Sequence, residues 1–257
     1  MHHENEYYDN MVTMLELIWG EGYMAPGGPG NVAKLLDALE PAGKRILDVG
    51  CGIGGPAFEI ARSHDASVVG IDLEAPLIER ANTAAEKHGL QKQCRFETVE
   101  ARPLPFSDCS FDIVLASGAI TQTSDKEGLI DECYRVLVPG GHFTCYEWMR
   151  SESEYSDEML YWFKIEGLTY ALETVDQFGE LFRTAGFIDV HTTDASSWYR
   201  AEVRREYELI RGDLYNKMVE LLGKKDADHF VEDWHAMAVV CESGELLQGY
   251  CRGRRPG

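Results

Sequence analysis

The chain has 257 residues, of which 44% are hydrophobic, so it is long enough for one large α/β domain with a full core. Its net charge of −20 would repel a phosphate backbone, which argues against a nucleic-acid partner. No apolar run reaches the roughly 18 residues that a membrane span requires, and the N-terminal stretch MHHENEYYDN has no targeting pattern. We therefore expect a cytoplasmic protein that acts on a small molecule and needs no membrane.

Seven cysteines include no C-x-x-C pair, and the histidines are scattered along the chain. This spacing is not that of metal ligands or of a disulfide framework. We therefore expect reduced structural thiols and no metal site. The sequence gives no indication of the oligomeric state.

The first predicted element is a short amphipathic helix within residues 4–23, where apolar side chains recur at helical spacing. The loop MAPGGPG follows and is too rich in Gly and Pro for a helix or a strand. A helix hinged by such a loop could fold over a ligand as a lid. Packing against the outside of the core explains the same periodicity equally well, so both alternatives stay open.

Residues 45–72 predict a strand at 45–49, a glycine-rich turn, an amphipathic helix and a second strand that ends at Asp72. The glycines Gly50, Gly52 and Gly54 would let backbone N–H groups approach a ligand that a Cβ would block. A carboxylate at the end of the second strand can accept hydrogen bonds from the hydroxyls of a ribose. The segment therefore predicts an adenosine-containing ligand.

The turn itself distinguishes two such ligands. Asp48 precedes the first glycine, which gives D-x-G-x-G-x-G-G. A carboxylate there would repel the diphosphate that dinucleotide folds place at a helix N-terminus, but it suits an ammonium and a sulfonium. The turn resembles the nucleotide-binding motif of class I S-adenosylmethionine-dependent methyltransferases. A dinucleotide-binding fold with an atypical turn is the alternative.

Further helices are predicted at 31–39 and 76–88, strands at 94–98, 111–116 and 142–147, and a helix from Ser124, with Glu127 completing its capping box. Strands that alternate with helices predict a parallel, doubly wound sheet. Ligands of such sheets bind outside the carboxyl ends of the strands. Beside the glycine turn we therefore expect residues that follow other strands: Leu73, Glu100, Ala101, Ser117 and Gln122.

The alternation breaks over residues 148–174, an aromatic-rich stretch that would cap the carboxyl edge of the sheet. A helix that begins at the capping box of Thr174 and Gln177, a strand at 187–193, helices at 200–222 and 226–241 and a last strand at 245–251 complete the prediction. The chain then divides into a lid segment (1–30), a ligand-binding core (31–147), a cap (148–175) and a C-terminal part of the core (176–257).

Large rings are concentrated around the expected mouth of the site. Rings attract methylated cations by about 0.5–2 kcal/mol each, although any single ring can be an ordinary core aromatic. The candidates for substrate contact are Tyr8, Trp19, Tyr23, Trp148, Tyr170, Trp198 and Trp234.

Several segments carry a wider resemblance: EYYDNMVTMLELIWGEGYMAPGG, DVGCGIGG, SFDIVLASGAI, CYRVLVPGG and YALETVDQF. They are most similar to the small phosphoethanolamine N-methyltransferases and, more distantly, to glycine, sarcosine and dimethylglycine methyltransferases. The resemblance implies a seven-stranded Rossmann-like sheet with a reversed last strand and an N-terminal helical lid. It also implies S-adenosyl-L-methionine as cofactor, S-adenosyl-L-homocysteine as product, and Tyr7 at the position of a tyrosine that orients the amine.

The departures from that family concern the acceptor. Gln122 stands where the family keeps a histidine, Gly118 where it has an aspartate, and Leu168 near an arginine position. Residues 236–247 contain no Lys or Arg where the family is lysine-rich, so a phosphate would lack a compensating cation. An unphosphorylated amine or amino acid therefore fits better than phosphoethanolamine.

The sequence thus predicts methyl transfer to a small-molecule amine nitrogen that Tyr7 and Gln122 orient. The expected cofactor contacts are Asp48, Gly50, Gly52 and Gly54 on the methionine part, Asp72 on the ribose, Glu100 and Ala101 on the adenine, and Ser117 near the methyl group. Tyr7 and Leu73 are further expected cofactor contacts. S- or O-methylation is one alternative, because a strong nucleophile needs no base. A cofactor-binding regulator without chemistry is another.

Overall fold

A seven-stranded sheet lies at the centre of the computed structural model, which describes residues 7–100 and 102–257. Its strands are β1 (Arg45–Val49), β2 (Ser67–Asp72), β3 (Cys94–Thr98), β4 (Phe111–Ser117), β5 (Leu137–Arg150), β6 (Ile188–Asp194) and β7 (Leu246–Arg254). Their spatial order is β3, β2, β1, β4, β5, β7, β6. Strands β1 to β5 pair in parallel, whereas β7 runs antiparallel to β5 and β6. The predicted mostly parallel sheet with a reversed last strand is confirmed.

Helices cover the sheet and extend beyond one end of it. They are α1 (Asp9–Trp19), α2 (Gly28–Leu35), α3 (Gly55–His64), α4 (Ala75–His88), α5 (Lys126–Val136), α6 (Asp157–Glu166), α7 (Val175–Thr184), α8 (Ser196–Arg211), α9 (Tyr215–Leu222) and α10 (Lys224–Glu242). A short 3₁₀ turn spans Ile120–Gln122. None of the described helices has the length and apolar character to cross a membrane.

Several predicted boundaries are wrong. The fifth strand reaches Arg150 because β7 pairs with it along its whole second half. The cap of the helix predicted from Ser124 is instead Asp125, whose carboxylate accepts the N–H of Gly128, so the helix begins at Lys126. The helix predicted at 200–222 is broken near Gly212 into α8 and α9. The capping box of Thr174 and Gln177 is present as predicted.

Strand β1 divides the sheet core into two faces, because alternate side chains point in opposite directions. Leu47 and Val49 pack with residues of α5 and α7, whereas Ile46 packs with residues of α3 and α4. A third cluster joins α1, α6, α8, α9 and α10, with Trp162 and Phe230 fully buried in it. We call these five helices the helical cap. The cap predicted at 148–175 supplies only α6 of this layer.

Helix α1 lies between the glycine turn and the rest of the helical cap. Val12 packs against Ile53 of the turn and Leu77 of α4, while Met11, Met14 and Leu15 are buried in the cap cluster. This placement agrees with the lid alternative rather than with a helix on the outside of the core.

Polar contacts hold α1 on both flanks. Arg80 of α4 forms ion pairs with Asp9 and Glu16. The amide of Asn10 donates to the carboxylate of Asp226 at 2.7 Å. The helix is therefore tied to the cofactor half and to the cap at the same time.

Candidate active site

A cavity of about 640 Å³ opens at the carboxyl ends of β1, β2 and β4, and we call it the outer cavity. This position follows from the parallel topology, since the turns after the strands converge there. Most of the predicted cofactor residues line it: Tyr7, Asp48, Gly50, Gly52, Asp72, Leu73, Glu100 and Ser117. Ala101, the other predicted adenine contact, lies outside the described residues.

Neighbouring protein atoms leave no room for a Cβ on the glycines of the turn. A Cβ on Gly50 would lie 2.1 Å from the Cβ of Ala119, and one on Gly52 would lie 2.8 Å from the sulfur of Met24. Both glycines have positive φ, a conformation that other residues rarely adopt. The loops that carry Met24 and Ala119 can therefore pack directly on the turn.

Gly54 does not line the outer cavity, and its predicted contact with the methionine part stays a prediction. Its N–H donates to the carbonyl of Cys51 at 2.9 Å, so the turn itself uses that donor. A Cβ at this position would meet the rings of Phe96 and Phe58 at 2.8 and 3.0 Å. The residue serves to start α3 close to the sheet.

Asp48 is the most deeply buried charged group of the outer cavity, at 1% exposure. Its Oδ2 has no hydrogen-bond partner among the described residues. Burial, and secondarily the nearby charge of Asp72, raises the pKa of Asp48 to about 7. A cationic group in the cavity would restore an ordinary ionised carboxylate.

Asp72 lies at the end of β2, at the opposite side of the glycine turn. Its carboxylate accepts the N–H of Gly52 at 2.9 Å and that of Glu74 at 3.0 Å. Burial raises its pKa, and these backbone donors oppose the shift. The two N–H groups fix the carboxylate orientation at the cavity wall.

Tyr7 and Gln122, which are 115 residues apart, meet in the structure. The amide Nε2 of Gln122 donates to the Tyr7 hydroxyl at 2.7 Å. Gln122 belongs to the 3₁₀ turn after β4, and the buried carboxylate of Glu147 accepts the N–H groups of Ile120 and Thr121 in that turn. The predicted pairing of the two candidate catalytic residues is thereby formed on a rigidly held loop.

A second, smaller cavity of about 40 Å³ lies beyond this pair, and we call it the inner chamber. Tyr7, Met24, Ala25, Gly118 and Gln122 line both cavities and form the junction between them. Four of the predicted aromatic residues line the inner chamber: Trp19, Trp148, Tyr170 and Trp234.

The other predicted aromatic contacts lie elsewhere. Tyr23 lines the outer cavity and not the chamber. Tyr8 is 42% exposed at the start of α1 and lines neither cavity. Trp198 packs beside Gly27 and beneath the ammonium of Lys34, which lies 4.6 Å from its ring. The substrate contacts predicted for Tyr8 and Trp198 therefore stay predictions that neither cavity supports.

The sequence reasoning missed four acids around the site: Glu147, Glu206 and Asp233, which are buried, and the half-buried Glu166. Glu206 is fully buried and accepts the indole N–H groups of Trp19 and Trp234 at 2.7 and 3.1 Å. It follows Val203 by three residues and precedes Ile210 by four, so it lies on the apolar face of α8. An acid on the apolar face of a predicted helix was the sequence signal that could have identified Glu206 as buried.

Residues 46–141 match a family model described as a methyltransferase domain. They form the sheet from β1 into β5, including the glycine turn and most of the outer cavity. This segment is a methyltransferase domain. The outer cavity opens at the strand ends of the methyltransferase domain. The helical cap lies mostly outside the matched residues.

Similarity to curated relatives extends beyond the methyltransferase domain to nearly the whole chain. Phosphoethanolamine N-methyltransferase of Triticum aestivum is 28% identical over 253 residues, which covers 97% of this chain and 49% of that protein. The chain thus spans about half the length of the curated relatives it matches. The resemblance to phosphoethanolamine N-methyltransferases that the sequence predicted is confirmed.

Solved structures agree with this fold. Phosphoethanolamine N-methyltransferase 2 of Haemonchus contortus, in complex with phosphomonomethylethanolamine and S-adenosylhomocysteine, gives a TM-score of 0.92 at 23% identity and covers 99% of this chain and 59% of its own. A putative sarcosine dimethylglycine methyltransferase of Galdieria sulphuraria gives 0.82 at 16% identity, with 97% and 99% covered. The described part of the chain therefore has the methyltransferase fold.

Proposed function

We propose that this protein is a S-adenosylmethionine-dependent methyltransferase that methylates the amine nitrogen of a small molecule. The observation that carries the proposal is the connection of the two cavities at Tyr7 and Gln122. A cofactor in the outer cavity and an acceptor in the inner chamber would meet there. The relatives that match nearly the whole chain are named phosphoethanolamine N-methyltransferases, which supports transfer to nitrogen, whereas sterol C-methyltransferases match shorter parts of the chain.

The residues of the outer cavity fit the chemistry of the cofactor. The carboxylate of Asp48 has an unpartnered oxygen for the ammonium of the methionine part. Asp72 is oriented for ribose hydroxyls and Glu100 lies on the wall for the adenine amine. A volume of about 640 Å³ is in the range of ordinary cofactor sites.

When bound, the sulfonium would supply an already activated methyl group. The protein then has to align the acceptor and exclude water. Tyr7 and Gln122 are fixed to each other and face both cavities, so they can orient the acceptor nitrogen. The rings of the helical cap would keep water from the inner side.

We also propose that the protein acts in the cytoplasm and has no nucleic-acid partner. The net charge of −20 supports the second point. Six of the seven cysteines are buried, and burial raises the thiol pKa of Cys133 and Cys145. Such thiols are poorly reactive and suit a reducing compartment.

Calorimetry and a turnover panel test the proposal together. We expect S-adenosylmethionine and S-adenosylhomocysteine to bind the wild-type protein, and Asp48→Asn to weaken both by about tenfold or more because the ammonium loses its counter-charge. Asp65→Asn, at an exposed position after α3, is the control and should leave both affinities unchanged.

The panel contains amines, amino acids, thioethers, hydroxyl compounds and phosphobases. Methylation of amines supports the proposal, and methylation confined to thioethers or hydroxyls overturns the choice of nitrogen. Binding of a nicotinamide or flavin dinucleotide with no response to S-adenosylmethionine would overturn the proposal as a whole.

A further inference from the structure

The inner chamber combines aromatic walls with two carboxyl groups. Glu166 ends α6 and Asp233 lies in the middle of α10, and both line the chamber with Leu168, Trp148 and Trp234. The chamber residues among the described parts of the chain include no Lys, Arg or His. An anionic group entering it would meet two acids and no compensating cation.

One oxygen of each acid lacks a hydrogen bond of good geometry among the described residues, and the indole N–H of Trp162 lies close enough to the carboxylate of Asp233 to oppose the rise of its pKa. Asp233 is 4% exposed, and its Oδ1 has no hydrogen-bond partner among the described residues. Oε2 of Glu166 is likewise without a partner there, whereas its Oε1 accepts the hydroxyl of Tyr170 at 2.8 Å. If Glu166 and Asp233 served only to hold α6 against α10, we would expect both oxygens to be hydrogen-bonded to other protein groups, because an unmade buried hydrogen bond is costly.

We propose that the inner chamber binds a positively charged ammonium group of the acceptor, with Glu166 and Asp233 as counter-charges and the surrounding rings as walls. This rests on the proposed function in that the bound molecule is the methyl acceptor. The substrate class is then a small molecule with an ammonium group, and neither phosphate nor carboxylate, at its inner end, and with a separate nitrogen at the junction that Tyr7 and Gln122 orient. Cation–π attraction to Trp and Tyr rings adds to the charge pairing.

The size of the chamber agrees with this assignment. About 40 Å³ holds one small group rather than a whole acceptor. The remainder of the molecule would extend through the junction toward Gly118 and the outer cavity. Gly118 leaves that passage open, since the nearest atom to a Cβ placed there is the Cβ of Ala25 at 3.6 Å.

Matched ligand pairs test the charge preference without any turnover. Choline and ethanolamine are titrated against the full chain by calorimetry, beside phosphocholine, phosphoethanolamine and glycine betaine. We expect the compounds without an anionic group to bind about tenfold or more tightly than their anionic counterparts. Equal or tighter binding of the anionic compounds, or no binding of choline and ethanolamine, overturns the proposal.

Charge-removing variants of similar shape locate the site. Asp233→Asn and Glu166→Gln should each weaken choline binding by roughly tenfold to a hundredfold. Glu232→Gln is the matched control, because Glu232 is the exposed neighbour on α10 and contacts the hydroxyl of Tyr161. Thermal unfolding verifies that each variant is folded. A third variant carries both replacements. If it folds and binds choline with unchanged affinity, the assignment is overturned.

The pH dependence gives a readout that packing alone would not produce. Burial raises the pKa of Asp233 to about 7, and burial with the charge of Asp233 raises the pKa of Glu166 well above its usual range. The titratable groups near the pair are the phenols of Tyr170, Tyr7, Tyr8 and Tyr199 and the thiol of Cys241. Burial raises the pKa of Tyr170, Tyr8, Tyr199 and Cys241, so these four groups stay neutral over the range tested.

Choline keeps its charge at every pH, so only the chamber titrates. A cation favours the ionised carboxylates, and its binding must displace a proton. Choline affinity should therefore rise between pH 6 and 8, by up to about tenfold per unit for one proton released. A flat profile in the wild-type protein contradicts the proposal.

The two proposals can fail separately. Choline titrations need no cofactor, so choline binding without S-adenosylmethionine binding would overturn the methyltransferase function and leave the chamber assignment intact. Methylation of a phosphobase with no choline binding would do the reverse.

Discussion

The outer cavity and the inner chamber are built in different ways. The outer cavity depends on one continuous βαβ segment, residues 45–72, with contributions from the ends of neighbouring strands. The inner chamber takes its wall from α1, β5, α6, α10 and the loops between them, which lie far apart in the chain. A ligand site made by local backbone geometry leaves a motif in the sequence, whereas one made by converging helices does not.

The two regions also handle charge differently. Asp72 in the outer cavity is held by backbone N–H groups. The cap instead buries Glu206 against two indole N–H donors. One oxygen each of Glu166 and Asp233, like one of Asp48 in the outer cavity, has no hydrogen-bond partner among the described residues. Backbone donors therefore fix Asp72, whereas the inner chamber depends on side chains alone. The following variants test this contrast.

The largest effect is expected for Gly50→Ala in the glycine turn. Its Cβ would overlap Ala119 at 2.1 Å in a positive-φ conformation, so we expect a loss of about 3 kcal/mol in unfolding free energy and weaker cofactor binding. Gly43→Ala is the control, since Gly43 has φ +68 and no described atom within 4 Å of its Cβ position. It should cost only about 1 kcal/mol. Denaturant unfolding measures both, and equal losses would refute the packing argument.

The second variant acts at the junction of the two cavities. Tyr7→Phe removes the hydroxyl bonded to Gln122, and we expect turnover to fall by about tenfold to a hundredfold with little change in cofactor affinity. Tyr8→Phe alters the neighbouring, partly exposed ring and should leave turnover unchanged. Steady-state kinetics with calorimetry separates the two effects. An unaltered rate in Tyr7→Phe would remove Tyr7 from the site.

The third variant tests the buried charge of the cap. Burial raises the pKa of Glu206 to about 7 from 4.5, so the folded state retains a proton that the unfolded chain releases between those values. Protonation therefore stabilises the fold at low pH, and this contribution is lost as the pH rises toward 7. The unfolding free energy of the wild-type protein should therefore fall between pH 5.5 and 7.5. We expect a smaller fall in Glu206→Gln, by roughly 1 kcal/mol per pH unit.

Glu202→Gln is the matched control for Glu206→Gln. Glu202 lies one turn earlier on α8 and pairs with Arg205 at the surface. Its replacement should preserve the wild-type slope of unfolding free energy against pH. Parallel slopes for both variants would show that Glu206 does not titrate with a raised pKa.

The smallest effect is expected at the outer edge of α1. Arg80→Ala removes ion pairs to Asp9 and Glu16, which are partly exposed and worth at most about 1 kcal/mol. We expect cofactor dissociation to accelerate a few-fold at low salt and the difference to vanish at high salt. Arg95→Ala removes an ion pair with Glu97 on β3 and should not change the dissociation rate. Stopped-flow tryptophan fluorescence compares the two.

Much of the fold could be predicted because its signals are local. β1 and β3 have the predicted bounds, and Gly89 ends α4 in the left-handed conformation expected of it. The extent of β5 could not be predicted, since it depends on pairing with β7 about a hundred residues later. The break near Gly212 was missed because the apolar periodicity continues across it.

The residues of the candidate site likewise differ in whether local sequence signals or long-range contacts reveal them. Asp48, Asp72 and Gly50 were predicted from the turn, and the meeting of Tyr7 with Gln122 from the resemblance. Glu166 and Asp233 were missed because acids on long helices are usually solvated, and only helix packing shows which ones face inward. Trp198, also predicted to contact substrate, lies beside Lys34 and away from both cavities, because a ring's sequence position does not give its direction.

By itself, the sequence determined the glycine turn, the parallel sheet and the kind of ligand that the turn accepts, since these follow from backbone conformation within a few residues. The tertiary structure alone decided which helices form the cap, which acids are buried in it and which rings surround the chamber. Those outcomes depend on contacts between distant segments, and the free energy of burying a charge or a ring is fixed only when the segments come together.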